Sequence, residues 1–221
     1  MNDFVAQRER MVREQLMERG ITDTAVLQAM QSVPREEFVP LSYRDAAYMD
    51  GPLPIGAGQT ISQPYVVALM LVQLQLQAEQ RLLEIGTGSG YAAAVLSHIV
   101  QEVYTVERQH TLAWQAQARF EQLGYENIHV LEGDGTLGWR DHAPYDHIIV
   151  AAGGPSVPRS LQMQLVVNGR LLMPVGKKKS QQLVLVERLA ENEFRQKKLQ
   201  PVRFVQLIGV EGFQGGRIDN E

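Results

Sequence analysis

The chain has 221 residues, 44% hydrophobic and 21% charged, which matches ordinary globular proteins and excludes an intrinsically disordered chain. Its 21 Lys and Arg against 25 Asp and Glu give a net charge of −4, so no global positive charge drives binding to a phosphate backbone. The absence of cysteine removes disulfides, zinc–thiolate and iron–sulfur centres and a thiol nucleophile together. At roughly 150 residues per domain, one domain with an extension is expected. The start, Met1-Asn2-Asp3-Phe4, leads directly into Arg8-Glu9-Arg10 without the apolar core of a signal peptide. The longest apolar stretch, Tyr65 to Leu76, is broken by Gln73 and Gln75 and falls short of the ~20 residues that span a bilayer. A cytoplasmic protein that binds neither nucleic acid nor membrane is expected.

Residues 4–18 suit a helix, with Phe4, Met11 and Leu16 among charged residues and Gly20 as its stop. Thr22 or Asp23 is placed to cap a second helix carrying Val26, Leu27, Met30 and Val33, which Pro34 ends. Asp50 to Ser62 is rich in glycine and proline and reads as a long loop of the kind that carries function. A helix opens near Pro64, a residue suited to a first helical turn. Strands and helices then alternate. Strands are expected at 81–85, 103–107, 128–132 and 146–151, with helices over 89–100, up to Leu123 before Gly124, and over 157–166. Strands at 169–175, 183–189 and 202–208 complete the pattern. Such alternation implies an α/β fold with a doubly wound, mostly parallel sheet behind an N-terminal helical extension.

The strongest local signal is Leu82-Leu83-Glu84-Ile85-Gly86-Thr87-Gly88-Ser89-Gly90-Tyr91, an apolar strand entering a helix through three glycines. Glycines there allow a tight turn and a ligand lying against the main chain. The spacing is G-x-G-x-G, whereas a dinucleotide fingerprint is G-x-G-x-x-G. Glu84 would repel a pyrophosphate but accept a hydrogen bond from an ammonium group, which points to S-adenosylmethionine. Glu107 ends the next strand, where a carboxylate takes ribose hydroxyls. Gly133-Asp134-Gly135 follows the third strand, with Asp134 placed to accept from an adenine amino group.

Together with Arg19-Gly20-Ile21, Val33-Pro34-Arg35, Phe38-Val39-Pro40, Gly58-Gln59-Thr60-Ile61-Ser62-Gln63-Pro64, Val103-Tyr104-Thr105-Val106-Glu107-Arg108, Gly169-Arg170-Leu171, Pro174-Val175-Gly176 and Gln181-Gln182-Leu183, these motifs make the chain resemble the protein-L-isoaspartate O-methyltransferase family over residues 8–210. The Thr60-to-Pro64 motif is the most specific. The resemblance implies a Rossmann-like class I S-adenosylmethionine-dependent methyltransferase fold. Residues 1–62 form the helical extension and substrate loop, and residues 63–221 the cofactor-binding α/β domain, in one compact unit. It implies methylation of the α-carboxylate of L-isoaspartyl residues in damaged proteins and peptides, initiating repair through a succinimide, by a monomer that needs no metal. Ser62 is then the catalytic hydroxyl, with Gln59, Thr60 and Ile61 lining the peptide site. The cofactor set is Glu84, Gly86, Thr87, Gly88, Ser89, Gly90, Glu107, Gly133, Asp134 and Gly135. Taken alone, Ser62 reads more readily as a cap or turn residue for the helix at Pro64. One departure from the family pattern is Ala151, where a threonine is usual.

The rival readings are a class I methyltransferase acting on another carboxylate or small molecule, a nicotinamide-dependent oxidoreductase, and a binding protein without turnover. Val150-Ala151-Ala152-Gly153-Gly154-Pro155 lacks the Asn- or Asp-Pro-Pro-aromatic run of nucleic-acid amino methylases. The five histidines show no metal-ligand spacing, Lys177-Lys178-Lys179 reads as a solvated turn, and Trp114 and Trp139 read as packing residues.

Overall fold

The structure is a computed structural model and describes residues 3–178 and 180–214. The first helical stretch begins with α1 (Phe4–Arg10), where Asp3 accepts from the Ala6 amide at 3.0 Å. It continues through wider π-type turns over Met11–Leu16 and a tight turn to Arg19, burying Met11, Val12 and Leu16. Gly20 ends it at φ +88°. Asp23, not Thr22, caps α2 (Thr24–Ser32), accepting from the Val26 amide at 3.0 Å.

The segment read as a loop is instead largely a small hairpin, β1 (Leu53–Gly56) and β2 (Gln59–Ile61). Its turn carries positive φ at Gly56, Ala57 and Gly58, a geometry that favours glycine and hides strand pairing from residue counting. α3 (Pro64–Leu74) follows, with Pro64 in its first turn as expected.

The main sheet contains β3 (Arg81–Ile85), β4 (Glu102–Glu107), β5 (Ile128–Glu132), β6 (Tyr145–Val150), β7 (Leu165–Lys177), β8 (Ser180–Ala190) and β9 (Glu193–Val202). Its order is β5-β4-β3-β6-β7-β8-β9. β3 to β7 pair in parallel, and β8 and β9 return antiparallel. The helices between strands are α4 (Tyr91–Ser97), α5 (His110–Leu123) and α6 (Arg159–Met163). Alternate residues of β3 face opposite layers, which is why the strand reads as continuously apolar. Leu82 joins a cluster with α2, α3, α4 and α5, and Leu83 joins one with Tyr145, Leu161 and Met173. The buried apolar residues between Met11 and Phe38, such as Leu16, Val26 and Met30, belong to the first of these clusters.

Three expectations are corrected. The helix expected over 157–166 stops at Met163, because Leu165 already pairs with Tyr145 in the sheet and the β-branched Val166 and Val167 suit a strand. The last strand is Glu193–Val202, not 202–208. It is an edge strand whose Arg195, Lys197 and Lys198 remove the apolar pattern that reveals a strand, and such charge protects an open edge. Residues 203–208 are extended beyond it and make only isolated bridges, such as Gly153 with Gln206. Finally, Trp114 is 66% exposed on α5 and is no packing residue, whereas Trp139 does pack edge-on to Tyr104. Lys177 ends β7 and Lys178 lies in the turn, while Lys179 lies outside the described residues.

Gly90 opens α4 at φ +89°, and a Cβ there would stand 2.6 Å from the Phe120 ring. Gly90→Ala is expected to cost about 2–4 kcal/mol from left-handed backbone strain and overpacking. Urea unfolding measures it, and a loss below ~1 kcal/mol would show that the α4–α5 contact yields freely.

Candidate active site

Sheet order locates the site. β3 lies between β4 and β6, and the connections that leave β3 toward β4 and β6 toward β7 run in opposite directions. A crevice therefore opens beyond the carboxyl ends of β3 and β6. There the Gly86 amide donates to the Val106 carbonyl and the Ala151 amide to the Ile85 carbonyl, both at 2.8 Å, closing the ladder on either flank. Beyond those bonds lies a cavity of about 900 Å³, its open mouth included.

Its lining brings together most of the residues expected from sequence: Gln59, Thr60 and Ile61 from the hairpin with Ser62 just beyond it, Glu84, Gly86, Thr87, Gly88 and Ser89 from β3 and the glycine loop, and Glu107 and Gly135. Gly135 must lack a side chain, because a Cβ would lie 2.5 Å from Ile85 Cγ2. The hairpin seats directly on the glycine loop: a Cβ on Gly88 would meet Ile55 Cδ1 at 3.3 Å.

Two carboxylates dominate the electrostatics. Glu107 accepts from the Gly88 amide on one oxygen and from the Gln109 amide on the other, each at 2.9 Å. Glu84 is 1% exposed and accepts from the Thr105 hydroxyl at 2.6 Å. Thr105 in turn lies 2.7 Å from the Thr87 hydroxyl, which donates to it when an ionised Glu84 accepts the Thr105 hydrogen bond. Burial pushes the Glu84 carboxyl up to about 8, opposed by the Thr105 hydrogen bond and assisted by the charge of Glu107. Among the described residues neither carboxylate is in a salt bridge. Both retain lone pairs for a ligand. The site therefore suits a ligand bearing cationic and hydroxyl donors.

Three residues expected at the cofactor lie outside the cavity lining. Gly90 lies outside the lining and serves the α4–α5 packing instead. Gly133 and Asp134 lie outside it as well. Asp134 accepts from the Thr136 amide at 2.9 Å, the Thr136 hydroxyl at 2.7 Å and the Val210 amide at 2.7 Å. Burial alone would raise its carboxyl, but the Val210 and Thr136 hydrogen bonds hold it below the usual range. It thus ties the backbone at Val210 down. The stretch before it supplies wall residues not read from the sequence, Val205, Gln206, Leu207 and Ile208, joined by Arg108, Gln109 and Ala152, and by Ala151, the position that departs from the family pattern. Arg108 and Gln109 follow Glu107 directly and were within reach of the motif. Residues 205–208 carry no local signal, because Gln181 brings them in: its side chain accepts from the Phe204 amide at 2.9 Å and donates to the Lys177 carbonyl at 2.8 Å.

A second groove meets the first, sharing Gln59, Thr60, Ser62 and Ala151 and adding Lys178, Arg203 and Phe204. Ser62 stands at the junction. Gln63, not Ser62, occupies the cap position of α3, and no side-chain capping bond forms there. The Gln63 side chain is instead held by Asp50 at 2.7 Å, and Asp50 by Arg19 at 3.0 Å. Among the described residues the Ser62 hydroxyl has no partner, so it is free to donate to a ligand. No group of three or more His, Asp or Glu among the described residues is arranged to hold a metal.

The sequence pattern of the protein-L-isoaspartate(D-aspartate) O-methyltransferase family matches residues 6–212. The chain belongs to that family. A protein-L-isoaspartate O-methyltransferase 2 of Pelobacter propionicus is 59% identical over 94% of this chain and 92% of its own length. A solved protein-L-isoaspartate O-methyltransferase superposes with a TM-score of 0.84 at 32% identity, covering 93% of this chain and 67% of that one. A Plasmodium falciparum structure named for the same activity, in complex with S-adenosyl-L-homocysteine, shares the fold at a TM-score of 0.80 and 24% identity, over 94% of this chain and 99% of that one. The cofactor of this methyltransferase is S-adenosylmethionine.

Because its folded pKa is raised above 4.5, the stability Glu84 contributes is complete below that value and is lost as pH rises through about 8. An ammonium seated on Glu84 requires the ionised form and so expels its proton. Between about pH 6 and 7, below the range where an α-amino group titrates, S-adenosylmethionine affinity is expected to rise with pH, with proton release on binding. Glu84→Gln is expected to abolish both. Calorimetry in buffers of different ionisation enthalpy reads the proton, and an unchanged release in the variant would remove Glu84 from the ammonium site.

Proposed function

We propose that the chain transfers the methyl group of S-adenosylmethionine to the α-carboxylate of L-isoaspartyl residues in damaged proteins and peptides, with Ser62 as the catalytic hydroxyl. The observation that carries this reading is the free Ser62 hydroxyl where the cofactor cavity meets the groove. When bound, S-adenosylmethionine supplies an electrophilic methyl on a cationic sulfur.

The chain's task is positioning. An α-carboxylate is ionised at pH 7 and needs no general base. A hydroxyl donor at Ser62 orients it without removing its charge. Glu84, Thr87 and Glu107 hold the cofactor end, while Thr60 and Gln59 line the peptide side. Lys178 and Arg203 place positive charge at the groove, which suits an acidic substrate. Ala151 lines both cavities with a methyl, so no hydroxyl at that position shares the work of Ser62.

Esterification of the isoaspartyl carboxylate makes methoxide a better leaving group than oxide. The amide nitrogen of the following residue then attacks the ester carbonyl and loses its proton as methanol departs. The resulting succinimide opens by hydrolysis partly to normal aspartate. Residues 1–62 act as the extension that presents the substrate hairpin to the α/β domain of residues 63–221. The reading places a monomeric enzyme in the cytoplasm. The lack of cysteine fits a reducing compartment, and no helix among the described residues is long and apolar enough to cross a membrane.

Two synthetic peptides differing only in L-isoaspartate or L-aspartate at one position test the assignment through transfer of labelled methyl and release of methanol. Transfer to the isoaspartyl peptide alone is expected, and no transfer to either, with cofactor still bound, would remove the substrate assignment. Ser62→Ala is expected to lower kcat/KM about 10- to 100-fold, the value of a lost hydrogen bond to a charged group. Its stability should change by less than ~1 kcal/mol, because the hydroxyl caps nothing. Retained activity in that variant would reassign the catalytic hydroxyl.

A further inference from the structure

Arg35 is 0% exposed and forms no salt bridge among the described residues. Its neighbour Glu36 is engaged elsewhere, accepting from Arg8 at 3.4 Å and from the Tyr48 hydroxyl. The Arg35 fork donates from Nε to the Ala47 carbonyl at 2.7 Å and from Nη2 to the Ser62 carbonyl at 2.8 Å. The remaining nitrogen, Nη1, is buried without a partner. The guanidinium lies 4.7 Å from the ring centroid of Tyr91, which lines the cofactor cavity at the start of α4.

Burying a guanidinium without a carboxylate is costly, and an apolar side chain of similar volume would fill the space more favourably. The arrangement is explained by what the fork holds. Ser62 falls between the end of β2 at Ile61 and the start of α3 at Pro64, so neither sheet nor helix fixes its carbonyl. Arg35 supplies that bond from a different part of the chain, and its planar geometry constrains direction as well as distance. Fixing the carbonyl fixes the Ser62 backbone and, through it, the path of the free hydroxyl.

We propose that Arg35 is a positioning residue for methyl transfer, aiming the Ser62 hydroxyl at the substrate carboxylate by holding the Ser62 carbonyl. This rests on the assignment of Ser62 above. A side chain so aimed matters only for the reacting geometry, where small misplacements cost of order 100-fold in rate.

A double-mutant cycle with Ser62→Ala tests it. Arg35→Met is expected to bind S-adenosylmethionine within about threefold of the parent, since Arg35 touches no cofactor group. Its kcat for an isoaspartyl peptide is expected to fall about 10- to 100-fold, with a smaller change in KM. In the Ser62→Ala background the same substitution should cost less than about threefold, because the hydroxyl it aims is gone. Arg35→Lys, which keeps the charge and replaces the fork with a single ammonium, should fall between parent and Arg35→Met.

An equal loss in both backgrounds would overturn the proposal, as would full activity in a folded Arg35→Met. Parallel losses of cofactor affinity and rate, or failure of both variants to fold, would assign Arg35 to the scaffold and also overturn it. Full activity of Ser62→Ala alone would strike the underlying assignment instead, and is read from a separate corner of the cycle.

Discussion

The site depends on a constraint of sheet order. β3 has β4 on one side and β6 on the other; from its carboxyl end β3 leads to β4, whereas β6 leads away to β7 on the opposite side. No connection covers that point, so the backbone parts there and a ligand can reach the main chain. The bonds from Gly86 to Val106 and from Ala151 to Ile85 complete the two ladders just before the split. Everything assigned to the cofactor lies within a few residues of those two bonds in sequence or against them in space.

Electrostatics then selects the ligand. Glu84 and Glu107 sit at the ends of adjacent parallel strands, where neither reaches a lysine or arginine among the described residues. The Gly88 and Gln109 amides donate to the two oxygens of Glu107. Glu84 has only the Thr105 hydroxyl and is buried, so its charge awaits a cationic partner. The groove beyond Ser62 has the opposite character, with Lys178 and Arg203 on its wall. The two chambers thus complement a cationic methyl donor on one side and an anionic acceptor on the other.

Closure of the site comes from the two ends of the chain. The hairpin at 53–61 packs Ile55 against Gly88, and the Arg19–Asp50–Gln63 series anchors its base. At the other end, Asp134 and Thr136 hold the backbone at Val210 and Glu211, and Gln181 holds Phe204. The motif residues Arg19 and Gln181 serve these ties from outside the cavity.

The sequence by itself determined the α/β alternation, the G-x-G-x-G turn with Glu84 before it, Glu107 one strand later, and the Thr60–Pro64 motif. Each is a local signal, since strand hydrophobicity, glycine spacing and a strand-end carboxylate are set within about ten residues. Only the tertiary structure decided that residues 53–61 pair as a hairpin, that polar Glu193–Val202 is the edge strand, and that Asp134 grips Val210. It also decided that residues 205–208 wall the site and that Arg35 reaches the Ser62 carbonyl. Those outcomes rest on hydrogen bonds between residues up to 76 positions apart, such as Asp134 with Val210. Nothing in the local pattern of either partner records such a bond.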